Sequence, residues 1–186
     1  FVRMPMEQTY FHSVTLNKDK CKGCTNCIKH CPTEAIRVRN SKAVIINERC
    51  IDCGECIRVC PYHAKKAVTD PIKSIENYKF KIALPAPSLY GQFGPNYSRE
   101  RIISELKHLG FDYVFAVAQA AEIVSNATIQ YMKNEDVKKP VISSACPAVV
   151  RLIQVRFPSL IENLLKIESP MEVAAALSKQ EVHKKY

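Results

Sequence analysis

Cys21-Lys-Gly-Cys-Thr-Asn-Cys-Ile-Lys-His-Cys-Pro32 and Cys50-Ile-Asp-Cys-Gly-Glu-Cys-Ile-Arg-Val-Cys-Pro61 are two copies of one pattern, 29 residues apart. Both read C-x2-C-x2-C-x3-C-P and together hold eight of the nine cysteines, Cys21, Cys24, Cys27, Cys31, Cys50, Cys53, Cys56 and Cys60. This spacing suits a cubane 4Fe-4S cluster. Three thiolates three residues apart let one tight loop cover three corners of the cube, and the fourth corner must come from elsewhere. Structural zinc is the competing reading, but it prefers two separated C-x2-C pairs and has no use for a third thiol in the same loop. Disulfides would suit a secreted chain, whereas reduced cytosolic thiols do not pair. Soft thiolates with no histidine or carboxylate in a ligand slot favour iron–sulfur chemistry.

Between the copies, residues 35–39, Asn40-Ser41 and residues 43–46 read as strand, turn and strand, with apolar flanks able to cover the clusters. Each Cys-Pro is expected to open a short helix, because proline is pre-set for a first helical turn. On these features residues 18–72 resemble a bacterial-type two-cluster ferredoxin, an α+β domain, with residues 1–17 as an N-terminal extension. The resemblance implies that each fourth ligand crosses over. Cys21, Cys24, Cys27 and Cys60 would hold one 4Fe-4S cluster, and Cys50, Cys53, Cys56 and Cys31 the other.

The chain of 186 residues is 47% hydrophobic, enough for a real core outside this module. No run of 18 apolar residues exists, which excludes an ordinary transmembrane helix and a membrane partner of that kind. Phe1-Val-Arg-Met-Pro-Met has no apolar signal region, so a cytoplasmic location is expected. Of the formal net charge of +9, residues 1–80 contribute 14 Lys+Arg against 8 Asp+Glu, and the remainder 13 against 10. The basic residues are scattered and not interleaved with stacking aromatics, which disfavours nucleic acid. A docking face for an acidic electron-transfer partner fits better. Positive charge near a cluster should favour its reduced form, so Lys22→Glu and Lys29→Glu are expected to lower the potential.

The second half reads as alternating strands and helices, an α/β layout with a parallel sheet. Residues 81–87 and 111–117 read as short strands. Ser98 reads as the cap of a helix whose apolar face is Ile102, Ile103, Leu106 and Leu109, closed by Gly110. Residues 120–133 read as helix, and residues 140–145 as a strand handing over at Cys146-Pro147 to another helix. Ser169-Pro170 with Glu172 marks a further helix start, with Met171, Ala174, Ala175 and Leu177 as its packing positions. Cys146 is open to three readings: a buried inert thiol, a reactive thiol favoured by a helix N-terminus, or a metal ligand.

A ferredoxin module followed by Ala83-Leu-Pro-Ala-Pro87, Leu109-Gly-Phe-Asp-Tyr-Val-Phe115, Ser143-Ser-Ala-Cys-Pro147 and Ser169-Pro170 resembles the iron-only (FeFe) hydrogenases over almost the whole chain. The family motif T-S-C-C-P-x-W falls on Ser143, Ser144, Ala145, Cys146, Pro147, Ala148 and Val149. The resemblance implies that Cys146 is a ligand of the active-site cluster, the H-cluster. Ala145 stands where efficient enzymes carry a proton-relay cysteine, and Val149 replaces the tryptophan. A methyl group has no exchangeable proton, so turnover should be slow even in a complete site.

These departures resemble the sensory branch of the family, coupled to signalling partners. The active-site cubane needs four cysteines, and no cysteine follows Cys146. Residues 73–186 therefore read as a truncated, partial α/β hydrogenase-like domain, able to take part in an H-cluster only if a further segment supplies the missing ligands. Two functions follow from this reading. One is electron transfer as the N-terminal part of a hydrogen-sensing, low-turnover hydrogenase homologue, and the other is a ferredoxin-type redox adaptor with a non-catalytic α/β domain.

Other residues carry no assigned chemistry. His30 and His63 read as surface side chains, and Tyr62 as packing over the cluster loop. Glu122, Glu135 and Asp136 read as solvated charges, and Met4, Met6, Met132 and Met171 as core or tail residues. Neither G-x-x-x-x-G-K nor G-x-G-x-x-G is present, which argues against direct nucleotide use.

Overall fold

A computed structural model describes residues 12–133 and 137–185. Met4, Met6, Glu135 and Asp136 lie outside the described residues, as does most of the expected 1–17 extension. The chain divides into two compact units, each mixing helix and strand. One comprises the described residues up to Asp70 with Pro147–Ile161, the other Pro71–Cys146 with the residues from Glu162 onward.

The first unit repeats itself in its backbone. Strand β1 (Val14–Leu16), helix α1 (Asn26–Lys29), strands β2 (Ile36–Arg39) and β3 (Lys42–Ile45), helix α2 (Glu55–Arg58) and strand β4 (Lys65–Ala67) follow in order. The antiparallel pair β1–β4 is the 29-residue translate of β3–β2. Val14↔Ala67 corresponds to Ala43↔Val38, and Leu16↔Lys65 to Ile45↔Ile36. Asn17 N–H donates to the Ala64 carbonyl at 2.8 Å, and Ile46 N–H to that of Ala35 at 2.7 Å.

The three left-handed positions repeat as well. Gly23 and Asp52 (φ 67° and 54°), Thr25 and Gly54 (64° and 73°) and Glu34 and His63 (52° and 47°) are equivalent pairs. A left-handed residue before α1 and α2 turns the chain sharply enough to bring three cysteines of each loop round one point.

The hairpin lies where the sequence places it, with Asn40 and Ser41 at φ 50° and 58°. Two positive φ values in a two-residue loop match the twist of the flanking strands. The expected helices after Cys31-Pro32 and Cys60-Pro61 are absent. Each one-turn helix lies before its Cys-Pro, and each Cys-Pro opens a turn. Left-handed Glu34 and His63 cannot propagate a right-handed helix, and β2 and β4 begin two residues later.

The second unit starts with β5 (Ile82–Ala83), α3 (Pro87–Tyr90), α4 (Arg99–His108), β6 (Tyr113–Val114) and α5 (Val117–Met132); α6 (Pro147–Arg156) then belongs to the first unit, and α7 (Pro170–Lys185) to the second. β5 and β6 pair in parallel, as the α/β pattern predicts, but each is only two residues long. Pro85 and Pro87 have no N–H to continue the ladder, and Val117 already opens α5. Residues 140–145 contribute a single parallel bridge, Ile142 to Leu164, and not a strand. Pro140 cannot donate there, and Ser143 Oγ accepts the Ala145 N–H at 3.3 Å.

Ser98 caps α4 by accepting the Arg101 N–H at 3.3 Å, and Gly110 ends it at φ 102°. Ile102 is buried, but Leu109 is exposed at the C-cap, just past the last helical residue. A core of Phe115, Val117, Ala120 and Ala174 joins α5 to α7. The small alanines allow the two helices to approach closely. Met171 and Met132 are exposed at the start of α7 and the end of α5, outside this core.

Candidate functional site

Two clefts open in the first unit, and the cysteines sort between them as two sets of four. Cys21, Cys24, Cys27 and Cys60 border a cleft of about 360 Å³. Cys31, Cys50, Cys53 and Cys56 border another of about 350 Å³. In each, the three-cysteine loop of one copy meets the fourth cysteine of the other. Apolar side chains seal them: Leu16, Val38 and Ala43 on the first, Val14, Ile36 and Ile45 on the second.

The chemistry of the clefts suits thiolate-held cubanes. Backbone donors already face sulfur, with Ala35 N–H to Cys31 Sγ at 3.2 Å, Ala64 N–H to Cys60 Sγ at 3.3 Å and Ala43 N–H to Cys21 Sγ at 3.4 Å. Such donors stabilise charge on a ligating sulfur. Burial pushes the Cys27 and Cys50 thiols up, and the Cys56 thiol to about 11. Burial also raises Cys60, but the N–H groups of Ala64, Lys65 and Tyr62, with the Lys65 charge, outweigh it and hold Cys60 below the ordinary thiol range. A metal cluster that takes these sulfurs as thiolates relieves the cost of burying them.

Lys65 borders the first cleft with 3% of its surface exposed, and its Nζ is buried with no hydrogen-bond partner among the described residues. An unpaired ammonium in such a place is costly unless an anion completes it, and a cubane held by four thiolates is one. The second cleft carries Asp52 instead, whose carboxylate accepts the Ser13 N–H at 3.0 and 2.9 Å. His12, Cys50 and Asp52 bring their ligand atoms within 4.8 Å of one another, and His12 Nε2 also lies 2.8 Å from Asn47 Oδ1. Neither Lys65 nor Asp52 stood out as a motif in the sequence. Aligning the copies would have found both, since Lys65 answers Ile36 and Asp52 answers Gly23.

Tyr62 borders the first cleft, half exposed. His30 and His63 are exposed, with His30 Nδ1 at 2.9 Å from the Asn26 carbonyl oxygen. Glu122 is an exposed charge on α5. Ala145 and Cys146 are exposed immediately before α6, so Cys146 is not the buried thiol. A single thiol does not make a four-thiolate set, so the chain's own residues do not complete the H-cluster that the resemblance implies.

These features define an iron–sulfur protein. Residues 13–61 match the 4Fe-4S dicluster domain, and residues 79–186 match the C-terminal domain of the iron only hydrogenase large subunit. The chain belongs to the iron-only hydrogenase large-subunit family. It is 29% identical over 187 residues to the periplasmic [Fe] hydrogenase large subunit of Nitratidesulfovibrio vulgaris, covering 90% of this chain and 44% of that protein. It is 30% identical over 196 residues to iron hydrogenase 1 of Clostridium pasteurianum, covering 90% and 34%. A ferredoxin of Methanothermococcus thermolithotrophicus is 42% identical over 38 residues, 19% of this chain and 63% of that one. The chain thus spans less than half the length of the two hydrogenases it matches. Among the described residues no helix is long and apolar enough to cross a membrane.

Proposed function

We propose that this chain carries electrons through two 4Fe-4S clusters as the N-terminal part of an iron-only hydrogenase. The observation behind this is the sorting of eight cysteines into two four-thiol clefts, with Cys31 and Cys60 exchanged between the copies. Bound there, each cubane supplies a one-electron site. The protein's part is to hold the thiolates, aim backbone N–H groups at sulfur and keep water away with Leu16, Val38, Ile36 and Ile45.

Lys18, Lys20, Lys22 and Lys29 are exposed around the first cysteine loop. They suit an acidic electron donor or acceptor, whose encounter would weaken steeply with salt. We assign the chain to the sensing, low-turnover branch, with a signalling partner. The support is the residue at position 145, where Ala145 has no proton to relay. In the whole protein, Ala145→Cys should raise hydrogen turnover; an unchanged rate with the active site fully loaded would remove that assignment. The redox-adaptor reading draws on the solitary, exposed Cys146.

Iron per chain after anaerobic expression with the hydrogenase maturation machinery tests the central reading. About eight irons fit two cubanes and an electron relay. About four would sink the two-cluster assignment. About fourteen would mean that an active-site cluster is also held, against the adaptor reading.

A further inference from the structure

The 29-residue repeat supplies an internal control, because equivalent positions of two similar clefts can be compared directly. Leu16 and Lys65 face each other across β1–β4 and border the first cleft; Ile45 and Ile36 face each other across β3–β2 and border the second. Lys65 and Ile36 are equally buried, each 3% exposed. A position that takes an isoleucine in one copy takes an ammonium in the other.

The differences around the clefts share one sign. At the loop positions the first cleft has Lys22, Gly23 and Asn26 where the second has Ile51, Asp52 and Glu55. The first is bordered by two lysines, the second by two carboxylates. These loop charges are weakened by solvent, since Lys22 and Asp52 are exposed and Glu55 is paired with Arg58 at 2.6 Å. Lys65 is different. Its Nζ is shielded from water and has no hydrogen-bond partner among the described residues, so its field is screened little.

We propose that Lys65 sets a potential difference between the two clusters: its buried ammonium, standing where the first copy has Ile36, stabilises the reduced form of the cluster held by Cys21, Cys24, Cys27 and Cys60. This rests on the two-cluster reading above. Reduction adds one negative charge to a cluster that is already anionic, and a nearby fixed cation favours the more negative form. The first cluster therefore has the higher potential, and an electron shared by the pair resides there. A charge acts over distance, so Lys65 reaches the second cluster as well. The second potential thus feels Lys65 in the same direction but less, because Lys65 borders the first cleft and not the second.

The test is a potentiometric titration followed by electron paramagnetic resonance on the full chain, with iron counted in every sample. The unaltered protein should reduce in two separated steps. Lys65→Ile, which installs the residue of the matched position, should lower the upper step by at least tenfold in its reduction equilibrium, about 59 mV for one electron. The lower step should move less. Lys65→Arg, which keeps the charge, should preserve the separation. Cys24→Ser identifies the step belonging to the first cluster.

Should Lys65→Ile lose iron, Lys65→Gln carries the same expectation with a neutral chain of similar reach. Coincident steps in the unaltered protein, or a neutral variant with full iron and unmoved potentials, would overturn the proposal. So would a shift confined to the step that Cys24→Ser leaves alone. About four irons in the unaltered protein would instead defeat the two-cluster reading, and is thereby distinguished from a failure of Lys65.

Discussion

Cys31 and Cys60 stand at equivalent places in the two copies, and each borders the cleft of the other copy's loop. The exchange ties the halves of the repeat together, since neither loop can complete a four-thiol set alone. Both sulfurs also accept an N–H from the alanine four residues on, at 3.2 and 3.3 Å. Each of these sulfurs is thus tied to its own turn by a backbone donor.

Replacing Cys60 by serine should therefore cost the cluster on the first loop, and replacing Cys31 the cluster on the second. Iron should fall from about eight to about four in each. The spectrum left by Cys60→Ser should match that left by Cys24→Ser, and the spectrum left by Cys31→Ser that left by Cys53→Ser. The reverse pairing would show each loop drawing its fourth ligand from its own copy.

Gly23 and Gly54 both have positive φ, yet alanine should affect them differently. A Cβ on Gly54 meets nothing within 4 Å, so Gly54→Ala bears only the left-handed penalty, about 1 kcal/mol. A Cβ on Gly23 would lie 2.7 Å from the Ser41 carbonyl oxygen, a backbone atom in the hairpin turn. Gly23→Ala should cost about 2–4 kcal/mol and loosen the first cleft. Anaerobic urea unfolding of the iron-loaded protein would measure both, and equal losses would contradict the difference in space.

The cysteine framework, the hairpin at Asn40-Ser41 and the caps at Ser98 and Ser169 were legible because each is a local rule. Spacing, turn chemistry or a hydroxyl three residues from its partner suffices. The β1–β4 pair was not legible. Lys65-Lys66-Ala67 has no alternation that marks a strand, and its partners lie 51 residues away at Thr15↔Lys66. Long-range pairing overrides propensity there.

Lys65 escaped notice for a related reason. A lysine in a polar run reads as solvated until the fold buries it. Strand lengths in the second unit were overestimated because apolar β-branched residues such as Val117 serve a buried helix start equally well.

Tyr113 Oη donates to Glu181 Oε2 at 2.6 Å, joining the end of the parallel pair to α7. The bond to Glu181, then burial, raises the Tyr113 hydroxyl above its ordinary value of 10.0. Below that value the tyrosine is neutral whether folded or not, and the bond contributes in full. As pH rises above it the unfolded chain ionises first, so the contribution is lost progressively through the higher folded value. Tyr113→Phe should destabilise by about 1–1.5 kcal/mol at pH 7 and flatten the alkaline limb of the stability curve. A variant with an unchanged alkaline limb would exclude this pair as its cause.

At the start of α7, Ser169 and Glu172 cap each other. Ser169 N–H and Oγ–H donate to Glu172 Oε2 at 2.8 and 2.7 Å, and Glu172 N–H donates back to Ser169 Oγ at 3.4 Å. This reciprocal pair satisfies donors that the first helical turn cannot use internally. The Ser169 hydroxyl and then its N–H hold the Glu172 carboxyl below the ordinary value of 4.5. The sign follows from that depression: the contribution is complete above the unfolded value and is lost as pH falls through the lower folded one. Ser169→Ala should cost about 1 kcal/mol at pH 7. It should cost less in acid, where a protonated Glu172 no longer favours the box. Unfolding midpoints of the two proteins should therefore converge as the pH drops below 4.5. Parallel curves across that range would mean that Ser169 acts through its hydroxyl on the Glu172 N–H alone, with the carboxylate uninvolved.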